Sequence, residues 1–188
     1  GDLFFQDGLW NAVKKGLKEV ADCSGKYPEL TVVVGLPVRY GTKLYNCAAV
    51  CYKGEILGLV PKAKYAVKTL PFEERYFELV DKNFTKDIYL DAPYNAFFNE
   101  KIVASVFDNL MIGVFVGAMG APLERAADIV LNPVAIPEKI GATKQYENTL
   151  VCASKLLSCA FVSANAGMGE STSSVVFGGQ GFVVENGV

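Results

Sequence analysis

Short β-branched or apolar runs alternate along this chain with two long amphipathic stretches, and that alternation restricts its fold more than any other feature. Leu30-Thr-Val-Val-Val-Gly35 stops at glycine and Pro37 and reads as a buried strand. Tyr45 to Tyr52 and Glu55 to Val60 flank Lys53-Gly54, a two-residue hairpin signal. Lys101 to Phe107, Met111 to Val116, Ile129 to Leu131, Phe161 to Ala164, Ser174 to Phe177 and Phe182 to Glu185 read as further strands. The spacing of Leu9, Val13, Leu17 and Val20 predicts a helix over 7–21, with Asp7 as its cap and Ser24-Gly25 as its stop. A second long helix is expected over 144–159, and a short one over 122–127 opens at Pro122, where a missing N–H costs nothing. Strands alternating with helices, together with hairpins, indicate a layered α/β domain with helices packed on sheet.

A length of 188 residues suits one domain, so a single domain over 1–188 is expected. The chain contains no histidine, which excludes Ser-His-Asp and Cys-His catalysis and His-based zinc or haem sites. Acid–base chemistry then falls to Asp, Glu, Lys, Tyr or Cys. Five cysteines, an odd number without a C-x-x-C pair, argue for a reducing, cytoplasmic setting over a disulfide framework or thiolate metal site. No metal and no cofactor is expected. The 18 basic and 20 acidic residues form no long block, so a nucleic-acid partner is not expected. No signal peptide opens the chain, and its longest apolar run, Met111 to Pro122, falls short of the ~20 residues a membrane span needs. A hydrophobic fraction of 51% is high for a free-standing domain and points to a covered surface, hence to a homo-oligomer.

Several segments could carry chemistry, and each also has a plainer reading. Gly117-Ala-Met-Gly-Ala-Pro122 joins a strand to a helix, a place for a nucleophile or an anion, but no Lys-Ser/Thr follows Gly120 and a tight turn of small residues suffices. Lys62 stands after a strand and a proline, where it can steady an oxyanion or simply be a solvated charge. Glu73 and Glu74 beside Arg75 make a base with a partner, or a surface ion pair. Cys47 and Cys51 on a strand, and Cys152 and Cys159 on one face of the second helix, read as buried structural thiols. Gly169-Glu-Ser-Thr-Ser-Ser174 is a polar turn or a binding loop.

Taken together, the motifs resemble the glutamine-hydrolysing domain of glutamine-dependent NAD+ synthetase, a branch of the nitrilase (carbon–nitrogen hydrolase) superfamily. The stretches that carry the resemblance are Gly1-Asp-Leu-Phe-Phe-Gln6, Val34-Gly-Leu-Pro-Val-Arg39, Lys43-Leu-Tyr-Asn-Cys-Ala48, Gly54-Glu-Ile-Leu-Gly-Leu-Val-Pro-Lys62, Gly169-Glu-Ser-Thr172, Val176-Phe-Gly-Gly179 and Glu185-Asn-Gly187. They occur in family order from end to end. The resemblance implies a nitrilase-like αββα sandwich, sheets flanked by helices and incomplete at both termini, without a synthetase domain. It implies a Glu–Lys–Cys triad in which a thiolate attacks the amide carbon. Lys62 matches the triad lysine and Glu73 a second, supporting glutamate. Arg75, Phe77, Glu170 and Ser171 match positions on the substrate side, and a glutamine-like small molecule is the implied ligand.

Departures from the pattern concentrate at the reacting groups. Gly113-Val-Phe-Val-Gly-Ala-Met119 puts Gly117 at the position of the family's cysteine, and Ala118 and Met119 replace its acidic pair. The family's base glutamate lies upstream of the Gly1 motif; Lys68 replaces a tyrosine; Asn132-Pro-Val-Ala-Ile136 replaces a Ser-rich loop. The expectation is a scaffold that has lost the reaction, with an unpaired sheet edge open to association. Two alternatives stand beside it: an amidohydrolase whose nucleophile has moved to Cys152 or Cys159, and a non-catalytic module binding a small molecule at the Gly117 turn.

Overall fold

The computed structural model describes residues 2–63, 73–80, 88–90, 94, 96–98, 103–107, 110–117, 127–170 and 175–188. It contains two compact units, each built on one five-stranded sheet. The first holds α1 (Asp7–Ser24), β1 (Thr31–Tyr40), β2 (Lys43–Tyr52), β3 (Glu55–Pro61), α2 (Glu73–Tyr76), β4 (Ile88–Leu90) and β5 (Ala96–Phe98). Its strand order is β1-β2-β3-β5-β4; β1, β2 and β3 form an antiparallel meander, and β5 joins β3 in parallel.

The hairpin expected at Lys53-Gly54 is there, with both residues at positive φ, 50° and 88°, as a turn matching strand twist requires. Alternation along β2 sends Tyr45, Cys47 and Ala49 into a core with Leu36, Val38 and Leu59, against which Leu17 and Ala21 of α1 pack. Strand β1 runs on through Pro37 to Tyr40 because it is an edge strand, where a residue without an N–H costs no ladder bond.

Helix α1 differs from expectation at both ends. Gln6, not Asp7, holds the capping position, and it makes no side-chain cap hydrogen bond. The helix continues to Ser24, whose hydroxyl donates to the Ala21 carbonyl (2.7 Å) and accepts the Gly54 N–H (3.0 Å). That buried serine ties the helix end to the hairpin turn.

The second unit holds β6 (Val103–Phe107), β7 (Leu110–Val114), β8 (Ile129–Val134), α3 (Ala142–Leu157), β9 (Ala160–Asn165) and β10 (Gly181–Glu185), in sheet order β10-β9-β8-β7-β6. The pairs β7–β8 and β8–β9 are parallel, and the outer pairs β6–β7 and β9–β10 are antiparallel. Tyr146 and Leu150 of α3 pack on Val130, Val134, Phe161 and Val184. Ser154 accepts the Gly187 N–H at 2.8 Å, so this unit also anchors an X-Gly turn, Asn186-Gly187 at φ 50° and 85°, on a helix serine.

Three expectations change here. Helix α3 stops at Leu157 because Ser158 turns left-handed (φ 51°), so Cys159 lies beyond the helix. Cys152 is exposed and Cys159 buried, so the two do not share a buried face. The strand expected over 174–177 reduces, in its described residues, to one bridge between Phe177 and Pro137. Gly179 at φ 69° ends the extended backbone there. The helix over 122–127, for all but Ala127, and the Asp108-Asn109 junction lie outside the described residues. No described helix is long and apolar enough to cross a membrane.

Candidate functional site

In each unit the residues of interest lie just past the end of a strand that has a parallel neighbour, the place where α/β sheets offer their ligand crevices. In the first unit that residue is Lys62, immediately after β3. Its backbone N–H donates to the Asn46 carbonyl at 2.7 Å, which extends the β2–β3 pairing by one step and fixes where the side chain starts.

Lys62 is 5% exposed and Glu73 9%. The Lys62 ammonium donates to Glu73 Oε2 at 2.7 Å and to Oε1 at 2.9 Å, and Asn46 Nδ2 donates to the same Oε1 at 3.0 Å. The carboxylate therefore receives three hydrogen bonds from two residues that the sheet holds rigidly. Taking both charges out of water is costly, and it is this tight pairing that makes the burial tolerable.

The helical turn α2 presents Glu73 inside a stretch expected to be irregular, and neighbouring rings secure it. Phe4, in a 3-10 turn over Asp2–Phe5, meets Phe77 edge-on at 4.9 Å and Tyr76 at 5.5 Å, and Phe5 meets Tyr76 at 5.9 Å. The Glu78 N–H donates to the Leu44 carbonyl at 2.8 Å, clamping the far end of the segment to β2. Of the substrate-side expectations, Arg75 is exposed with its guanidinium over Tyr76 at 5.6 Å, and Phe77 is half-buried against Phe4.

In the second unit the corresponding position is Gly117, three residues past β7. The backbone continues to pair with the next strand, Phe115 N–H to Leu131 O at 3.0 Å and Gly117 N–H to Pro133 O at 3.2 Å. Gly117 has φ 102°, a conformation side-chain-bearing residues rarely adopt.

A buried neutral network holds this strand end. Asn132, 2% exposed, donates both amide hydrogens, to Phe115 O (2.7 Å) and Gly117 O (3.0 Å), and its Oδ1 accepts from the Tyr146 hydroxyl at 2.5 Å. Ser163 Oγ lies 2.8 Å from the Tyr146 oxygen and donates to the Asn132 carbonyl at 3.1 Å. Burial pushes the Tyr146 phenol up to about 12, against a smaller opposing effect of Ser163, so it serves as a neutral hydrogen-bond donor at ordinary pH.

The thiols do not offer an obvious substitute. Cys47 and Cys51 sit in the core with Leu17 and Ala21, and strand alternation puts Cys47 on the opposite sheet face from Asn46. Burial pushes Cys47 well up and Cys51 up to about 11. Burial, and then the nearby Asp128 carboxylate, raise Cys159 as well, the opposite of what thiolate chemistry needs. Glu170 is exposed and accepts the Gly167 N–H at 3.2 Å in a local 3-10 turn; Ser171 lies outside the described residues. Among the described residues, no group of three or more Cys, Asp or Glu side chains is placed to hold a metal ion.

No protein-family model matches the chain. Its sequence is 30% identical over 196 residues to glutamine-dependent NAD(+) synthetase of Mycobacterium bovis, covering 99% of this chain and 28% of the synthetase. A crystal structure of a glutamine-dependent NAD(+) synthetase from Cytophaga hutchinsonii superimposes with TM-score 0.83 at 22% identity, over 99% of this chain and 30% of that one. A nitrilase-superfamily amidase from Nesterenkonia superimposes over the same 99%, with TM-score 0.72 at 18% identity and 64% of its own length. The synthetase structure and the amidase superimpose over the same 99% of this chain, so what they share with it is the fold. The chain is similar in sequence to part of glutamine-dependent NAD(+) synthetase and shares its fold with a nitrilase-superfamily amidase. It spans less than a third of the length of the synthetases it matches.

Within the nitrilase-like framework, sequence reasoning singled out both Lys62 and Glu73, and the structure brings these two together. It missed Asn46 as an active participant, although the residue lies inside the Leu-Tyr-Asn-Cys-Ala stretch that carried part of the resemblance. It noted Asn132 only as a departure and had no signal for Tyr146 or Ser163. A polar residue alternating with apolar ones inside a strand, as Asn132 and Ser163 do, is the trace such a network leaves in sequence.

Proposed function

We propose that this chain is a glutamine-hydrolysing-type domain that has kept the lysine half of its site and lost the hydrolysis. The observation that carries the reading is Gly117, which offers hydrogen where the family pattern places the attacking sulfur. The Nesterenkonia amidase, by contrast, is described with the acetamide moiety of fluoroacetamide attached covalently to its active-site cysteine. Covalent amide hydrolysis needs a nucleophile together with a base and an oxyanion partner; residues acting as a unit lose several orders of magnitude in rate when any one is removed. Lys62 is the residue proposed to face a ligand carbonyl, and Glu73 its counter-ion. Arg75, Phe77, Glu170 and Ser171 remain proposed vestiges of the side that recognised a glutamine-like molecule. A cytoplasmic location agrees with the five cysteines being unpaired.

Ammonia release from glutamine tests this. The expected result is no turnover above a buffer blank; turnover that Lys62→Ala abolishes would overturn it. Self-association is proposed as well, supported by the 51% hydrophobic fraction. Light scattering should report an assembly, and a concentration-independent monomer refutes it.

A further inference from the structure

Glu73 is the carboxylate beside Lys62, and that position invites the idea that it acts as a proton acceptor. Three hydrogen bonds argue otherwise. Both oxygens accept from Lys62, and Oε1 also accepts from Asn46 Nδ2 at 3.0 Å, so turning the carboxylate to collect a proton elsewhere breaks all three. The Asn46 nitrogen, not its oxygen, faces the carboxylate, because an amide oxygen there would be repelled. Asn46 also accepts the Lys62 backbone N–H at 2.7 Å, so one residue of β2 sets the origin of the cation and the orientation of the anion. Among the described residues Lys62 is the cation within ion-pair distance of Glu73; Glu74 and Arg75 on α2 and Glu78 after it are exposed.

We propose that Asn46 is a positioning residue that commits Glu73 to being the fixed counter-ion of Lys62 rather than a proton acceptor. The inference rests on the reading of Lys62 as the retained site lysine and deepens it.

Nuclear magnetic resonance of the full chain, with 15N in lysine and 13C in glutamate, reads the pair directly, and Lys62→Arg assigns the signal. In the wild type the Lys62 ammonium is expected as a slowly exchanging peak coupled through its hydrogen bond to the Glu73 carboxylate carbon. In Asn46→Leu, which keeps the size and removes the donor, that coupling should vanish. Ammonium exchange should then rise about tenfold, the loss expected for one charge-assisted hydrogen bond. The Lys62 backbone amide, which bonds the Asn46 carbonyl whatever the side chain, should keep its exchange rate. Asn46→Ser, which keeps a donor, should preserve the coupling; if Asn46→Leu does not fold, Asn46→Ala against Asn46→Ser makes the same comparison. An unchanged coupling in the donor-less variant overturns the proposal, and so does a backbone amide that accelerates in step with the ammonium. Glutamine turnover by the wild type would sink the functional reading while leaving this result as it stands.

Discussion

The two units mount their strand-end residues alike and equip them differently. Each grips an X-Gly turn with a helix serine, Ser24 on Gly54 and Ser154 on Gly187. Each places a polar residue of a neighbouring strand against the strand end, Asn46 in the first and Asn132 in the second. In the first unit that asparagine steadies a buried charge pair. In the second it steadies bare backbone carbonyls, with no side chain at Gly117 for the network to serve. The support of a reactive position is thus separable from the reactive group: a hydrogen-bonded mount is justified by burial alone, since its members would be costly to leave unpaired.

The largest difference between the units should appear on breaking the charge pair. Glu73→Ala leaves the Lys62 ammonium buried without its partner, and urea unfolding should show a loss of about 3–5 kcal/mol. The double variant Lys62→Met/Glu73→Leu should recover most of that, because it removes both desolvation costs. A double variant as unstable as the single one would mean that the pair contributes net stability and is more than a tolerated relic.

Next in size, Asn132→Ala strands the Phe115 and Gly117 carbonyls and leaves Tyr146 only Ser163 as a partner among the described residues, and should cost about 2–3 kcal/mol in the same measurement. A loss below about 0.5 kcal/mol, the level of an ordinary surface change, would mean that the mount in the second unit is not needed and the parallel between units is only topological.

Alkaline titration sharpens the comparison further. Tyr146 titrates at about 12 when folded and near its ordinary 10.0 when unfolded. Between those values the native state keeps a proton that the unfolded state has lost, so stability falls as pH rises, by about 1.4 kcal/mol per pH unit from this group. The buried thiols of the first unit, Cys47 and Cys51, act with the same sign. Tyr146→Phe should flatten the slope between pH 10 and 12, and a slope that stays put would assign the effect to the buried thiols and phenols of the first unit, Tyr45 and Tyr94 among them. Smallest of all, Ser24→Ala and Ser154→Ala should each cost about 1 kcal/mol, the worth of one hydrogen bond. Values differing by more than about twofold would show that the two turns are not equivalent anchors.

How far the sequence could be read varies with the range of the interaction. Strand and helix positions were legible because alternation and 3.6-residue spacing are local, and Lys53-Gly54 announced its turn because only certain residues tolerate two positive φ values. Misreadings fell at element ends, at the short elements α2, β4 and β5, which the sequence reading did not assign, and at 174–177, where a single bridge stands in place of the expected strand. Helix α3 ends at Leu157, two residues before Cys159, and Ser24 prolongs α1 to reach a turn 30 residues away. The Ser24 contact is long-range, which local propensity does not carry, while the left-handed turn at Ser158 is closed locally on the Ser154 carbonyl. At the site, Lys62 and Glu73 stood out through the resemblance, which matches them to a lysine and a supporting glutamate; by residue type alone they read equally well as solvated charges. Asn46, Asn132, Tyr146 and Ser163 did not, because a polar residue in a strand looks the same whether it faces water or a buried partner.

Sequence alone determined that the chain is a layered α/β structure, that histidine chemistry is impossible, and that glycine occupies position 117. Composition and local spacing suffice for all three. Only the tertiary structure decided that Lys62 and Glu73 form a buried pair under Asn46, and that Gly117 is held by a neutral network. Those contacts join residues 11 to 27 positions apart in the first case and 14 to 31 in the second. Their strength depends on exclusion of water, a property of the folded interior that no stretch of chain possesses by itself.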